Sequence, residues 1–345
     1  MTTIGDVARE AGVSRSTVSS VLTGRKFVAP GTRARVELAV EKLNFTVNSG
    51  ARALATSRTM VIGVVVQLHG MEFSPALAPF VFALSDAARA ASYDVLLMTE
   101  SDAVGAIRRV AQTRRVDGLV LLNIVDDDPR LAALAAHDIP AVLLGMPRDS
   151  RGVDAVDLDF AHAARRLVGH LHERGHRDVL FARWSSAMFD AGHSFVWRFS
   201  DAAFACAQEL GMRLRTFEVP VAPELIPAAL AQALRDRGDA TAVLVHDDAA
   251  AALMPSALHE SGLRVPDDIS VVSLFSAELA RSFALPYTSV ESDPGRVAAG
   301  SIDVLLRRIA AGKSAVSTVH TLLTPRMVDR GSVRDLTQRR SAPVR

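Results

Sequence analysis

Apolar side chains at Ile4, Val7, Ala8 and Ala11 fall at i, i+3, i+4 and i+7, which predicts a helix with one buried stripe and Asp6, Arg9 and Glu10 outside it. Gly12 ends that helix. Ser14 stands where a second helix takes its side-chain cap, and Val18, Val21 and Leu22 repeat the stripe while Arg15, Ser16, Ser19 and Ser20 face away. Thr23 to Ala29 is a loop holding Arg25 and Lys26. Pro30-Gly31-Thr32 starts a third helix that turns Val36, Ala39, Val40 and Leu43 inward, closing a small core. Asn48 to Thr56 is long enough for two helical turns capped by Asn48. It contains Gly50 and almost nothing apolar, so it should order only against a partner.

From Met60 the pattern changes to apolar runs alternating with helical stretches. Val61–Val66, Val95–Thr99, Gly118–Leu122 and Ala141–Leu144 predict buried parallel strands, separated by helices near 76–91, 103–115 and 129–136. A second set follows: helix Phe160–Arg174, strand Val179–Ala182, helix Arg198–Leu210, strand Ala242–Val245, helix Asp248–Ser261 and strand Ile269–Leu274. Asp293 and Pro294 then open an apolar-striped helix to Gly312, and Val319–Leu323 predicts a strand. Two doubly wound sheets are implied, and ligands in such sheets lie beyond the carboxyl ends of the strands.

Composition adds a boundary. The 345 residues are 49% hydrophobic and 22% charged, ordinary for a soluble chain with a large core. Residues 1–60 hold nine Arg and Lys against four Asp and Glu, whereas the remainder holds 30 against 34. A basic head on a slightly acidic body is the distribution expected of a DNA-binding chain, since neutralised phosphates supply most sequence-independent affinity. A short, polar, basic helix face beside a second helix is also what major-groove readout needs. An inert three-helix bundle would carry the same stripes. No eighteen-residue apolar run occurs, and Asp6, Arg9 and Glu10 stand where a signal peptide needs apolar residues, so a cytoplasmic location without membrane contact is expected. Cys206 is the single cysteine and reads as core filler.

The segment Thr3 to Leu22, Thr-Ile-Gly-Asp-Val-Ala-Arg-Glu-Ala-Gly-Val-Ser-Arg-Ser-Thr-Val-Ser-Ser-Val-Leu, resembles the head of LacI/GalR-type transcriptional regulators. Later words recur in family order: Thr32-Arg33, Asn48 with Ala51-Arg52-Ala53-Leu54, Ile62-Gly63, Val116-Asp117-Gly118-Leu119, Gly175-His176-Arg177, the run Val265 to Val272, and Arg330-Gly331-Ser332. The resemblance covers residues 3 to about 332. It implies a helix-turn-helix DNA-binding head (1–46), a hinge helix and linker (47–59) and a periplasmic-binding-protein-like, two-lobed effector and dimerisation domain (60–332). Lobe 1 would hold about 60–158 and 288–317, and lobe 2 about 159–287 and 318–332, with crossings near 158, 288 and 318. Residues 333–345 would be a flexible basic tail. That tail lacks heptad leucines, so a homodimer is expected rather than a tetramer.

By the same resemblance, Arg15, Ser16 and Ser20 would read bases of a double-stranded, near-palindromic operator, and Thr3, Ser14, Thr17, Ser19, Thr32 and Asn48 would contact or orient on phosphate. Arg52 and Leu54 belong to the hinge, where Leu54 would wedge a base step in the minor groove. Val47 replaces a common proline and Ser20 a common arginine. Effector positions carried over are Phe73, Ser74, Asn123, Arg198, Asp247 and Phe275. A small-molecule effector is implied, with no cofactor, metal or catalytic group. The family's usual effectors are sugars, but Ser273-Leu274-Phe275-Ser276 stands where many relatives have Gly-Tyr-Asp-Asp, and Ser74-Pro75-Ala76-Leu77 replaces Asn-Pro-Phe-Phe. A pocket that loses an acceptor and gains a ring suits a less polar ligand, or has lost ligand binding. Trp184 and Trp197 are expected in packing roles, with pocket lining as the alternative.

Two other classes compete. A solute-binding protein would share the clamshell but leave residues 1–58 without a use. A zinc hydrolase would rest on His172-Glu173-Arg174-Gly175-His176, which matches His-Glu-x-x-His; Gly175, however, reads as a helix cap that puts His176 outside the last turn. His170 and His193 read as surface histidines.

Overall fold

Thr3 fixes the start of α1 (Ile4–Glu10) by a reciprocal cap: Asp6 N–H donates to Thr3 Oγ1 (3.3 Å) and Thr3 N–H donates to Asp6 Oδ2 (3.0 Å). Gly12 follows with φ +64°, a left-handed turn that a side chain would strain. Ser14 Oγ then accepts from Thr17 N–H (3.1 Å) at the head of α2 (Arg15–Thr23), and Pro30 occupies the first turn of α3 (Pro30–Lys42). Val7, Val18, Val21, Val36 and Ala39 form the core of this unit. The structure is a computed structural model that describes residues 2–23, 27–45, 58–67, 76–282, 285, 287–312 and 317–337. Contacts divide the chain into Met1–Thr59 and Met60–Arg345.

In the second unit two six-stranded sheets carry helices on their faces. The chain runs through β1 (Val61–Val66), α4 (Leu77–Ala90), β2 (Asp94–Met98), α5 (Ala103–Thr113), β3 (Gly118–Leu122), α6 (Pro129–His137), β4 (Ala141–Leu144) and β5 (Asp154–Leu158). It then crosses to α7 (Phe160–Glu173), β6 (Asp178–Arg183), α8 (Ser186–Asp190), α9 (Ser194–Glu209), β7 (Arg213–Glu218), α10 (Ile226–Arg235), β8 (Ala242–Val245), α11 (Asp248–Glu260), β9 (Ser270–Phe275), α12 (Ala277–Ser282) and β10 (Thr288–Glu291). It returns through α13 (Pro294–Ala311) and β11 (His320–Leu323), and ends in β12 (Arg326–Val328). The first sheet, β11-β5-β4-β3-β1-β2, is wholly parallel; the second, β12-β10-β9-β8-β6-β7, is parallel except for β12. Strands β3 and β8 are buried along their whole length, as a sheet covered on both faces requires.

The crossings differ from the expected ones. β10 pairs with β9 and β11 pairs with β5, so residues 288–291 belong to lobe 2 and residues 320–323 to lobe 1. The second and third crossings therefore follow Glu291 and Leu323, not 288 and 318. Buried Asp154 secures this exchange: it accepts from Arg308 Nη2 and Nε (2.7 and 2.8 Å) and from Val319 N–H (2.8 Å), tying β5 to α13 and β11. The expected tail also begins later. Val333 is buried, Arg334 N–H donates to Ser270 Oγ (2.9 Å), and Leu336 N–H donates to Arg174 O (2.8 Å), so residues 333–337 complete lobe 2. Cys206 lies in the lobe 2 core. No described helix is long and apolar enough to cross a membrane.

Candidate functional site

The head presents one polar face. Arg15 and Ser16 are exposed at the start of α2, with Thr17, Ser19 and Ser20 half-buried behind them. Ser14 Oγ hydrogen-bonds Ser16 Oγ (2.7 Å) and Thr17 Oγ1 (2.8 Å), which gathers three hydroxyls at the positive end of the helix, where a phosphate is favoured. Ser20 Oγ donates to Ser16 O (2.9 Å), so its hydroxyl is directed along the helix. A Cβ at Gly5 would meet the Arg15 guanidinium at 2.9–3.2 Å; the planar fork lies over bare backbone of α1. Thr3 is exposed at the α1 cap, and Thr32 is half-buried in the first turn of α3. Asn48, Arg52 and Leu54 lie outside the described residues, as do Phe73 and Ser74.

Between the lobes of the second unit lies a mostly apolar cavity of about 120 Å³. Asn123 and Phe275 line it, as expected. Asn123 follows β3 with φ +52°, and its Nδ2 donates to Gln67 O (3.0 Å). Arg130, wholly buried, holds this strand end: it donates to Leu122 O (2.9 Å) and Asn123 O (3.0 Å) and pairs with Asp128 (2.6 Å). Burying an arginine this way requires each of those acceptors.

Two expected contacts are occupied otherwise. Arg198 is not among the lining residues: Nη1 donates to Asp157 Oδ2 (2.5 Å) and Nη2 to Leu158 O (3.1 Å), so its fork is spent on β5. Asp157 is pushed up to about 6 by burial, against the pull of Arg198. Asp247 caps α11 by accepting Ala250 N–H (2.7 Å) and does not line the cavity; its neighbour Asp248 does, with Oδ2 accepting Ala76 N–H (2.8 Å) from the other lobe.

Burial, with Asp248 adjacent, raises Asp247 to about 7. A carboxyl whose folded pKa is raised contributes most below its unfolded value and loses that contribution as pH rises through the folded value. Asp247→Asn keeps the cap and removes the charge. Its melting temperature should match the parent near pH 4 and exceed it by several degrees at pH 8, as thermal unfolding at both pH values would show.

Sequence reasoning missed most of the aromatic wall. Phe160, Phe195 and His246 line the cavity with Trp184, their ring centroids 5.6–6.3 Å apart in the contacting pairs. The available signal was the density of rings between 184 and 199. His246 stacks on Phe199 at 3.9 Å, and burial lowers its pKa to about 3, so it is neutral. Trp197 instead lies beneath Arg148 (4.0 Å), a contact between lobes. Nearby, Asp126 N–H donates to Gly192 O (2.8 Å) and Val125 bridges His193, which is fully buried rather than a surface residue. Together these contacts form a clasp across the lobes.

The His-Glu-x-x-His segment takes the geometry expected of a helix end. α7 stops at Glu173, Gly175 has φ +87°, and His176 bonds Thr241 Oγ1 (2.7 Å) and Arg334 O (3.1 Å).

Comparison with known proteins joins the two units. Residues 3–48 match the bacterial regulatory proteins of the lacI family, and residues 168–333 match the periplasmic binding protein-like domain. The HTH-type transcriptional repressor PurR of Glaesserella parasuis serovar 5 (strain SH0165) is 30% identical over 354 residues, covering 98% of this chain and 100% of that one. The chain belongs to the LacI family. The lac repressor dimer bound to operator and the anti-inducer ONPF has a similar fold, with TM-score 0.77, 26% identity and coverage of 96% of this chain and 99% of that one. The CelR–cellobiose complex gives TM-score 0.66 at 25% identity, covering 96% and 100%. As a LacI-family protein, this chain is a DNA-binding transcriptional regulator with an effector-binding domain.

Proposed function

We propose that the protein is a ligand-controlled repressor acting in the cytoplasm, which binds a near-palindromic operator as a homodimer and has no catalytic or cofactor role. The observation that carries this is the outward face of α2, where exposed Arg15 and Ser16 stand beside a hydroxyl-lined helix start. One such helix fills a major groove, and a dimer reads two half-sites. Arg15, Ser16 and Ser20 read bases; Thr3, Ser14, Thr17, Ser19 and Thr32 hold phosphate. Asn48, Arg52 and Leu54 supply the hinge. An effector occupies the interlobe cavity, and its coupling to DNA is reciprocal: a ligand that weakens operator binding is itself bound more weakly by the operator complex.

Exposed apolar side chains on lobe 1 support the dimer. Phe82 on α4 is 69% exposed and Leu97 on the edge strand β2 is 48% exposed, an apolar surface that pairing would bury. Phe82→Glu should shift the protein from dimer to monomer in sedimentation at micromolar concentration and weaken operator binding. A dimer unaffected by this change would exclude that face. Selection of DNA from a random pool with the purified protein tests the whole proposal. Enrichment of a palindrome supports it; enrichment of none opposes it.

A further inference from the structure

We propose that the effector of this cavity is an uncharged, largely apolar aromatic molecule carrying one or two hydrogen-bonding atoms, and not a polyol or an anion. The inference rests on the effector reading above and specifies its chemistry.

Charge comes first. Among the described residues, the cavity lining contains no lysine or arginine. Arg198 does not line the cavity and is paired with Asp157, which does. Asp248 adds a second carboxylate to the wall. An anionic ligand would enter a low-dielectric space with no cation to receive it and two carboxylates nearby, which disfavours it strongly.

The walls exclude a polyol for a different reason. Phe160, Trp184, Phe195 and His246 form a connected ring cluster on lobe 2, while Phe80 and Leu122 face the same space from lobe 1. A sugar hydroxyl placed against these rings or Leu122 would lose its water partners without replacement. A flat ring, by contrast, packs edge-to-face or offset against these side chains and buries its apolar area.

Specificity lies in a few polar atoms. Trp184 Nε1, His246 Nδ1 and Ser292 Oγ sit on lining residues, buried, with no hydrogen-bond partner among the described residues. Buried polar groups are ordinarily paired, so three orphans on one cavity wall mark where a ligand's oxygen or nitrogen atoms belong. Trp184 can only donate and so requires an acceptor; the neutral imidazole and the hydroxyl can each donate or accept. Because one carbonyl or hydroxyl oxygen can serve two of them, these three groups are satisfied by a molecule with one or two polar atoms and are too few for every hydroxyl of a monosaccharide.

Isothermal titration calorimetry of the full chain tests this with 2-phenylethanol, cinnamyl alcohol and acetophenone as neutral aromatics, benzoate as the aromatic anion and glucose as the polyol. At least one neutral aromatic should bind saturably, with a negative heat-capacity change. Benzoate and glucose should bind at least about tenfold more weakly, the least discrimination expected from a matched pocket. Phe195→Ala should weaken the aromatic by about tenfold or more; Phe195→Leu, which keeps the core filled, should weaken it in the same direction and guards against a folding defect. Glucose or benzoate binding more tightly than all three aromatics, or no saturable binding by any of the three, would overturn the assignment. A parallel titration of the selected operator complex separates the two proposals. An aromatic that binds without altering operator affinity would leave the ligand class standing and contradict the effector reading. An operator response to glucose or benzoate alone would do the reverse.

Discussion

Arg198→Leu should lower the stability of the second unit by about 3–5 kcal/mol, the cost of leaving one member of a buried ion pair without its partner. The leucine removes both donors from β5, since Arg198 serves Asp157 Oδ2 and Leu158 O together. Asp157 would keep two backbone donors, the Leu158 N–H on Oδ1 (2.8 Å) and the Met146 N–H. Its folded pKa, already about 6, would rise further without the guanidinium, and a raised carboxyl loses stability as pH climbs toward that value. The deficit should therefore be larger at pH 8 than at pH 5 in urea unfolding. Changing both residues to leucine should recover most of it, because a packed apolar pair replaces an ion pair at little net cost. A single-variant loss below about 1 kcal/mol, the range of solvent-exposed pairs, would mean that the pair is not buried as described.

Arg15→Ala should relax base preference at one position in each half-site and cost about 1–3 kcal/mol on the preferred sequence, roughly ten- to a hundredfold in affinity. Arg15 is an exposed cation at the start of α2, and its fork lies over Gly5, which carries no side chain. Ser14→Ala should behave differently. Its hydroxyl caps the helix and gathers Ser16 and Thr17, so its loss should weaken binding to all sequences alike and leave the selected motif intact. Repeating the random-pool selection with each variant checks both. An unchanged motif with Arg15→Ala would remove Arg15 from base reading.

Much of the fold was legible because its strands are apolar along their length. Val61–Val66, Gly118–Leu122 and Ala242–Val245 carry enough Val and Leu that the parallel sheets follow from sequence. Strands with polar residues escaped. β5 (Asp-Ala-Val-Asp-Leu) is buried throughout, yet its two aspartates are intelligible only beside Arg308 and Arg198, which lie far along the chain. β7 (Arg-Leu-Arg-Thr-Phe-Glu) is a half-exposed edge strand. The lobe assignment of β10 and β11 failed for a related reason: four-residue strands such as Thr-Ser-Val-Glu have no pattern that says which sheet they join, and pairing decides it.

The site divides the same way. The face of α2 was readable because caps and stripes are local, separated by three or four residues. Asn123 and Phe275 lie in the cavity wall, but position alone could not show that Arg198 is consumed by Asp157 or that Asp247 is consumed by its own helix. Asp248 and His246 took their place, one on either side of the residue expected there. Side-chain direction at a strand's end depends on what packs behind it, here Phe199 under His246 and Ala76 across the cleft.

The most direct test of the DNA-reading head is the salt dependence of binding to the selected operator, followed by fluorescence anisotropy of a labelled duplex. A dimer that sets two basic heads on DNA should give log K falling linearly with log salt, with a slope of about −6 or steeper. A slope near zero, or equal affinity for the selected duplex and a scrambled one, would contradict the account.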